Sequence, residues 1–193
     1  MRGRFILVVG TSGSGKGTLI NHIRPLFPDL IFPKSCTTRA MRPGEVNGAH
    51  YYFLSHEQFQ AHIDAGDFLE WAEYGGNRYG TLRSEVEPLL ESGGVGLKEL
   101  EVQGARQVRV KLPRENIIIV FVDAGSWEAV EQRIKERAPM SEEELLKRKE
   151  RYDDEMTFID EADYVINNHD GHLEEAKQKF FEAVQHVIHT QTT

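Results

Sequence analysis

Seven residues near the start of the chain, Gly10-Thr11-Ser12-Gly13-Ser14-Gly15-Lys16, have the types and spacing of a phosphate-binding loop. Glycine lets a backbone turn sharply, so successive N–H groups can converge on phosphate oxygens. A helix opening at the end of the loop adds the positive end of its dipole. Lys16 is a point charge able to reach the β- and γ-phosphates of a nucleoside triphosphate. The apolar run Phe5-Ile6-Leu7-Val8-Val9 precedes the loop and a helical pattern follows it, a context that separates it from an ordinary glycine turn. The eighth position, normally a Ser or Thr that serves magnesium, is Gly17, with Thr18 next. Thr18 is therefore the weak candidate for a direct metal ligand, with water as the alternative.

A second group of chemically capable residues lies further on. Ser35-Cys36-Thr37-Thr38-Arg39-Ala40-Met41-Arg42-Pro43-Gly44-Glu45 puts two arginines three apart in a loop bounded by Pro and Gly. Two guanidinium forks suit a dianionic phosphate. Tyr51, Phe68-Leu69-Glu70-Trp71 and Asn77-Arg78-Tyr79-Gly80-Thr81 add hydroxyls, a carboxylate and aromatic surface. Singly, each has a plain explanation: loop arginines are usually solvated, tyrosines line cores and rims, and Glu70 on a strand could face water. Arg133 and Arg137 share one helical face at i and i+4, and Arg148 falls on the next helix. Glu142, Glu143 and Glu144 could simply pair with them.

Taken together and in this order, these runs, the Glu70-Trp71 pair and Gln103-Gly104 behind an acidic pair resemble the guanylate kinase family. The resemblance runs from Phe5 to Phe180. It implies ATP-dependent phosphorylation of GMP to GDP by direct in-line transfer, with Mg2+ arriving with ATP and dGMP a further candidate acceptor. It also implies the site. Gly10 to Thr18, Arg133, Asn167 and Asn168 resemble the ATP contacts. Arg39, Arg42, Tyr51 and Tyr79 look like ligands of the GMP phosphate, and Ser35, Glu70 and Thr81 like readers of guanine. Glu99 and Glu101 resemble the acidic pair near base and metal. Lys16, Arg42, Arg137 and Arg148 look like the residues that act on the transferring phosphoryl group. Two departures stand out: the family usually has Asp where this chain has Glu101, and an apolar residue where it has Lys98. The alternatives are a kinase for another phosphorylated acceptor, and a non-catalytic scaffold of the same fold that binds phosphopeptides. The intact Lys16 loop and the lid arginines speak against the scaffold.

Elements to carry these residues can be read from periodicity. Phe5–Val9, Val95–Leu100, Ile117–Val122 and Tyr164–Ile166 read as buried strands. Helical patterns start near Gly15, with Leu19, Ile20, Ile23 and Leu26 on one face, and cover Val102–Lys111, Trp127–Arg137 and Leu173–His189. Ser141-Glu142-Glu143-Glu144 and Ser55-His56-Glu57-Gln58 are capping-box signatures that open two more. Strands alternating with helices predict an α/β, P-loop three-layer fold with a parallel sheet core. The reading is a single domain over 1–193. Its core is 1–33, 91–125 and 155–193, with an inserted GMP-binding subdomain at 34–90 and a helical lid at 126–154.

Bulk properties narrow the class. The chain has 193 residues, 39% hydrophobic and 28% charged, enough for one domain with a real core. A net charge of −8 speaks against a general nucleic-acid binder, so anionic ligands must be held by a local basic site. With one cysteine, Cys36, no disulfide can form within the chain, which suits a reducing compartment. The apolar run near the N-terminus is too short for a secretory or membrane segment. The expectation is a cytoplasmic protein that binds nucleotides and neither nucleic acid nor membrane.

Overall fold

The computed structural model describes residues 2–137 and 140–190, and of Arg137 the backbone without the side chain. Strand β1 (Arg4–Gly10) leads through the glycine loop into helix α1 (Lys16–Ile23). A second group follows: β2 (Ser35–Thr37), β3 (Tyr52–Phe53), α2 (His56–Ala65), β4 (Phe68–Tyr74) and β5 (Asn77–Leu82). The chain then returns through α3 (Arg83–Glu91), β6 (Val95–Glu99), α4 (Val102–Lys111) and β7 (Ile117–Asp123). Helices α5 (Trp127–Arg137) and α6 (Glu142–Met156), strand β8 (Tyr164–Asn167) and helix α7 (Leu173–His189) complete it.

The main sheet has the order β6-β1-β7-β8, and every pairing in it is parallel. Alternate residues of β1 serve different layers. Phe5, Leu7 and Val9 pack with Val86 and Leu90 of α3, Val102, Ala105 and Val108 of α4, and Phe158. Ile6 and Val8 pack with Leu19, Ile20 and Ile23 of α1 and Ala176, Phe180 and Val184 of α7. A strand covered on both faces has no polar side, which explains its continuous apolar run. The expected α/β fold with a parallel sheet core is present. Among the described residues no helix is long and apolar enough to cross a membrane.

Two local outcomes differ from the periodicity. Leu26, expected on the buried face of the first helix, is 48% exposed, because α1 ends at Ile23 and turns carry the chain onward. Helix α3 is hidden from the pattern: it has no side-chain cap at Leu82 and contains Pro88, which cannot donate a helical hydrogen bond. By number it falls within 34–90, yet its Val86 and Leu90 pack under β1. Strand β6 forms despite Lys98 and Glu99, which stand at its C-terminal end.

The smaller sheet has the order β3-β2-β5-β4, and the β4–β5 hairpin turns at Gly75 and Gly76, both with positive φ (58° and 73°). Its register lines up polar side chains. Ser35 pairs with Thr81, and Thr81 with Glu70, so three side chains on three adjacent strands form one row across the sheet. A register shift between Phe68 and Glu70 sets this row. Cys36, Phe59 and Phe68 form the apolar core beneath. Helix α2 carries the expected capping box, Ser55 with Gln58, and α6 carries its own, Ser141 with Glu144. Helix α6 is tied to the end of the main sheet by the Tyr152 hydroxyl, which donates to the Gly125 carbonyl at 2.8 Å.

Candidate active site

The glycine loop between β1 and α1 is built so that only glycine fits at two points. Gly10 (φ 144°) runs so close to β7 that a Cβ would lie 2.3 Å from the Val122 carbonyl oxygen. Gly15 (φ 88°) would place a Cβ 2.4 Å from the Asn168 side-chain nitrogen. The loop folds around Lys16, whose Nζ donates to the carbonyls of Gly10 (2.8 Å) and Thr11 (3.0 Å). Burial lowers the pKa of Lys16, and the carboxylates of Glu99, Glu155 and Glu101 oppose that shift. Glu99 is closest, with Oε1 3.9 Å from Nζ. The hydroxyls of Thr11 and Ser14 are buried without a hydrogen-bond partner. Buried hydroxyls are costly unless a ligand satisfies them, so the cradle fits phosphate oxygens.

The expected nucleotide-side residues gather around this loop. Arg148 on α6 donates from Nη1 to Ser12 Oγ at 3.3 Å. Arg133 on α5 donates to the Asn168 carbonyl (2.9 Å) and pairs with Asp170. The side chain of Arg137 lies outside the described residues. Asn168 is 6% exposed, and its Nδ2 donates to the Ser14 carbonyl at 2.7 Å. That group supports the loop. Asn167 is exposed at the end of β8, and Gly17 and Thr18 are exposed on the first turn of α1.

Across the cleft, the Ser35–Thr81–Glu70 row faces the end of the main sheet. Glu70 is 6% exposed and accepts the Thr81 hydroxyl through Oε1 at 2.5 Å. Burial raises its pKa, while the Thr81 hydrogen bond and the ammonium groups of Lys98 and Lys111 oppose the rise. Helix α4 holds this strand in place. Gln107 accepts from the Trp71 N–H (3.1 Å) and donates to the Trp71 carbonyl (2.8 Å), and Lys111 donates to the Phe68 carbonyl (2.9 Å). Gly104 on the same helix makes room: a Cβ there would lie 3.0 Å from Glu70 Oε2. Ser35, Glu70, Tyr79, Lys98, Glu99 and Glu101 are among the lining of a cavity of about 260 Å³. A larger cavity of about 740 Å³ shares Ser35, Lys98 and Glu99 with it and reaches Gly17 and Tyr51. The two adjoin along Ser35, Lys98 and Glu99, between the buried carboxylate and the first turn of α1.

Arg39 stands beside Glu45 and Tyr51, both of which line the larger cavity. Its Nη1 and Nη2 donate to the two oxygens of Glu45 (3.0 and 2.8 Å), and Glu45 also accepts the Arg42 backbone N–H at 2.7 Å. These donors hold the Glu45 carboxyl down at about 2. The Arg39 guanidinium sits 5.6 Å from the Tyr51 ring centroid, and Tyr51 meets Tyr79 edge-on at 6.3 Å. The Arg42 side chain is exposed, and Glu101 faces Arg151 at 3.6 Å. Sequence reasoning did not single out Glu45, Gln107 or the loop-supporting role of Asn168. Glu45 was within reach, since a carboxylate six residues from Arg39 in a tight loop is a natural fork partner. Gln107 and Asn168 act through contacts distant in sequence and left no local signal.

Comparison with known proteins decides the kinship. The family model described as guanylate kinase matches residues 2–187. The chain belongs to the guanylate kinase family. It is 44% identical over 187 residues to a guanylate kinase of Rubrobacter xylanophilus, covering 97% of this chain and 96% of that protein. It is 44% identical over 178 residues to one from a Synechococcus strain, covering 92% and 80%. The crystal structure of guanylate kinase from Anaplasma phagocytophilum superposes with a TM-score of 0.68 at 25% identity, covering 95% of this chain and 85% of that one. At that coverage the likeness takes in the parallel core and the smaller sheet alike.

Proposed function

We infer that the protein transfers the terminal phosphoryl group of ATP to the phosphate of GMP, giving ADP and GDP. The observation that carries the choice of acceptor is the Ser35–Thr81–Glu70 row, with a buried carboxylate at its end. Guanine presents N1–H and the exocyclic N2–H₂ side by side as donors, and a carboxylate offers two acceptor oxygens to match. Adenine has a lone pair at N1 and would leave the carboxylate without partners. A desolvated carboxylate is costly, so the site gains most from a base that satisfies it.

The chemistry follows from charge. The in-line transition state spreads negative charge over the moving phosphoryl group, so cations and positioning do most of the work. Lys16 and Arg148 stand at the loop from two sides, with the loop N–H groups beneath, and the lid arginine Arg137 joins this set on the resemblance. Arg39, held by Glu45, and Arg42 are the candidates for the acceptor phosphate, with Tyr51 and Tyr79 beside them. A nucleoside monophosphate has a second pKa near ~6, so its attacking oxygen is already ionised at neutral pH and needs no general base. Closing the cleft would exclude water and limit wasteful hydrolysis.

The residues also fit a magnesium ion carried in by the nucleotide. Glu99 overhangs the start of α1, with Oε2 3.8 Å from the Cβ position at Gly17, and Thr18 is exposed beside it. One carboxylate, a neighbouring hydroxyl and waters, added to phosphate oxygens, suit this hard cation. Glu99 is the residue that would hold it, directly or through water. When bound, the ion would supply positive charge against the phosphates.

The test is Glu70→Ala. Two hydrogen bonds to a charged group are worth roughly 1.5–3 kcal/mol each. The variant should lose at least ~100-fold in kcat/KM for GMP while AMP, poor to begin with, changes little. A variant that keeps its preference for GMP over AMP would remove the basis for this reading.

A further inference from the structure

Lys98 is out of place by the usual rules. It sits on β6, the edge strand of the main sheet, opposite Leu7 of β1, and is only 8% exposed. A lysine is almost never so buried without a partner. One of its three donors is used on the Pro33 carbonyl at 2.8 Å. The side chain lines the same cavity as Glu70, Ser35 and Tyr79. We propose that Lys98 is a positioning residue of the acceptor site, its buried ammonium supplying the counter-charge of the Glu70 carboxylate that reads the base.

The charges around the pair are consistent with this assignment. Lys98 feels the carboxylates of Glu70 on β4 and Glu85 on α3 and the thiol of Cys36 on β2. Glu99 and Glu101 line the same cavity, but Glu99 faces Lys16 at 3.9 Å and Glu101 faces Arg151 at 3.6 Å. Glu85 already holds a donor on each oxygen, the Tyr52 hydroxyl at 2.8 Å and the Lys34 N–H at 3.1 Å. Burial pushes the Cys36 thiol up to about 11, so it is neutral. Glu70, by contrast, has one side-chain hydrogen bond, from Thr81, helped by the Thr81 backbone, and feels two cations, Lys98 and Lys111 of α4. Lys111 is committed to the Phe68 carbonyl. Glu70 is thus the buried carboxylate with the greatest need of Lys98.

The consequence is a pH range for base recognition. Guanine donors need an ionised Glu70, so affinity falls as pH drops through the Glu70 pKa. An opposite charge nearby lowers a carboxylate pKa. Lys98 therefore carries recognition to lower pH than burial alone would permit.

This inference rests on Glu70 as the base reader, but its first measurement does not. The Glu70 carboxyl would be titrated by carbon NMR in the ligand-free protein, with Glu70→Gln to assign the signal. In Lys98→Met, which keeps the length and removes the charge, the midpoint should rise by about one pH unit or more. Lys98→Leu removes the same charge with another apolar side chain and should raise the midpoint alike, so the measurement stands even if Lys98→Met does not fold. GMP affinity would then be measured against pH. Lys98→Met should bind about tenfold more weakly below the Glu70 midpoint, with the gap closing above it. Unchanged midpoints in both variants would overturn the pairing whatever the substrate. Shifted midpoints with parallel affinity profiles would overturn the role in recognition.

Discussion

The Asn168 side chain donates to the Ser14 carbonyl at 2.7 Å, across 154 residues of chain. The bond ties the segment after the last strand of the sheet to the floor of the phosphate loop. It also explains Gly15, whose Cβ would fall 2.4 Å from the same nitrogen. Asn168→Ala would leave a buried carbonyl without its partner, at a cost of about 1–3 kcal/mol. The loop should then be less well organised for ATP. KM for ATP should rise several-fold, with KM for GMP at saturating ATP nearly unchanged. Steady-state kinetics with each substrate varied would check this. An equal effect on both would mean that Asn168 supports the whole fold and not the loop.

The Arg39–Glu45 fork gives a second test. Glu45 holds both the guanidinium of Arg39 and the backbone of Arg42, so it shapes the loop proposed to face the acceptor phosphate. It would also compete with that phosphate for Arg39. Organisation should win, because Glu45 also fixes the Arg42 backbone, a bond that the phosphate's hold on Arg39 would not replace. Glu45→Gln should raise KM for GMP by about tenfold with a smaller change in kcat, the pattern of a contact made equally in ground and transition states. A lower KM would show that competition dominates. The sign of the pH effect is also set. A carboxyl held down at about 2 keeps its ion pair above that value and loses it only as pH falls through it. Any loss of GMP affinity between pH 4 and 7 must therefore come from elsewhere, with Glu70 first in line.

Glu155 on α6 predicts a stability change. It is 5% exposed, and burial pushes its carboxyl up to about 7 against the pull of Lys16 and Arg151. Its folded pKa lies above the ordinary 4.5, so the folded protein keeps a proton that the unfolded chain releases. That stabilisation is complete below about pH 4.5 and lost as pH rises through about 7. The difference amounts to about 3 kcal/mol at most. Thermal melts from pH 5 to 8 should show Tm falling in the wild type and falling less in Glu155→Gln. Parallel curves would show that Glu155 is solvated and unperturbed.

These residues also mark what the sequence made legible. Both helices with capping boxes and the four strands of the main sheet were readable, because a doubly covered strand and a Ser-x-x-Glu or Ser-x-x-Gln start are local patterns. Helix α3 was not, since its stability comes from Val86 and Leu90 under β1 and not from a cap. The phosphate loop was legible from spacing and context. The Ser35–Thr81–Glu70 row was not, because register across three strands is set by a bulge and a hairpin turn. For those residues motif order supplied the grouping, and the fold supplies its geometry. Asn168 is a position that motif order named, and the fold adds that its side chain supports the loop backbone.

Gly104 separates stability from function most cleanly. It lies inside α4, where glycine costs about 1 kcal/mol relative to alanine. On helix propensity alone, Gly104→Ala should stabilise the protein. The new Cβ would lie 3.0 Å from Glu70 Oε2 and 3.5 Å from its Cδ, tighter than ordinary contact. The carboxylate would have to yield by a few tenths of an ångström. Its other oxygen is fixed by Thr81 and its strand is clamped by Gln107, so it cannot move without misaligning the pair of acceptors. The expected variant is as stable as the wild type or more so, with KM for GMP raised at least ~10-fold, since small misplacements at a recognition site are costly. Calorimetry and kinetics on one preparation would check both halves. A stable variant with normal GMP kinetics would mean that Glu70 has slack, and that the glycine serves helix packing and not the base pocket.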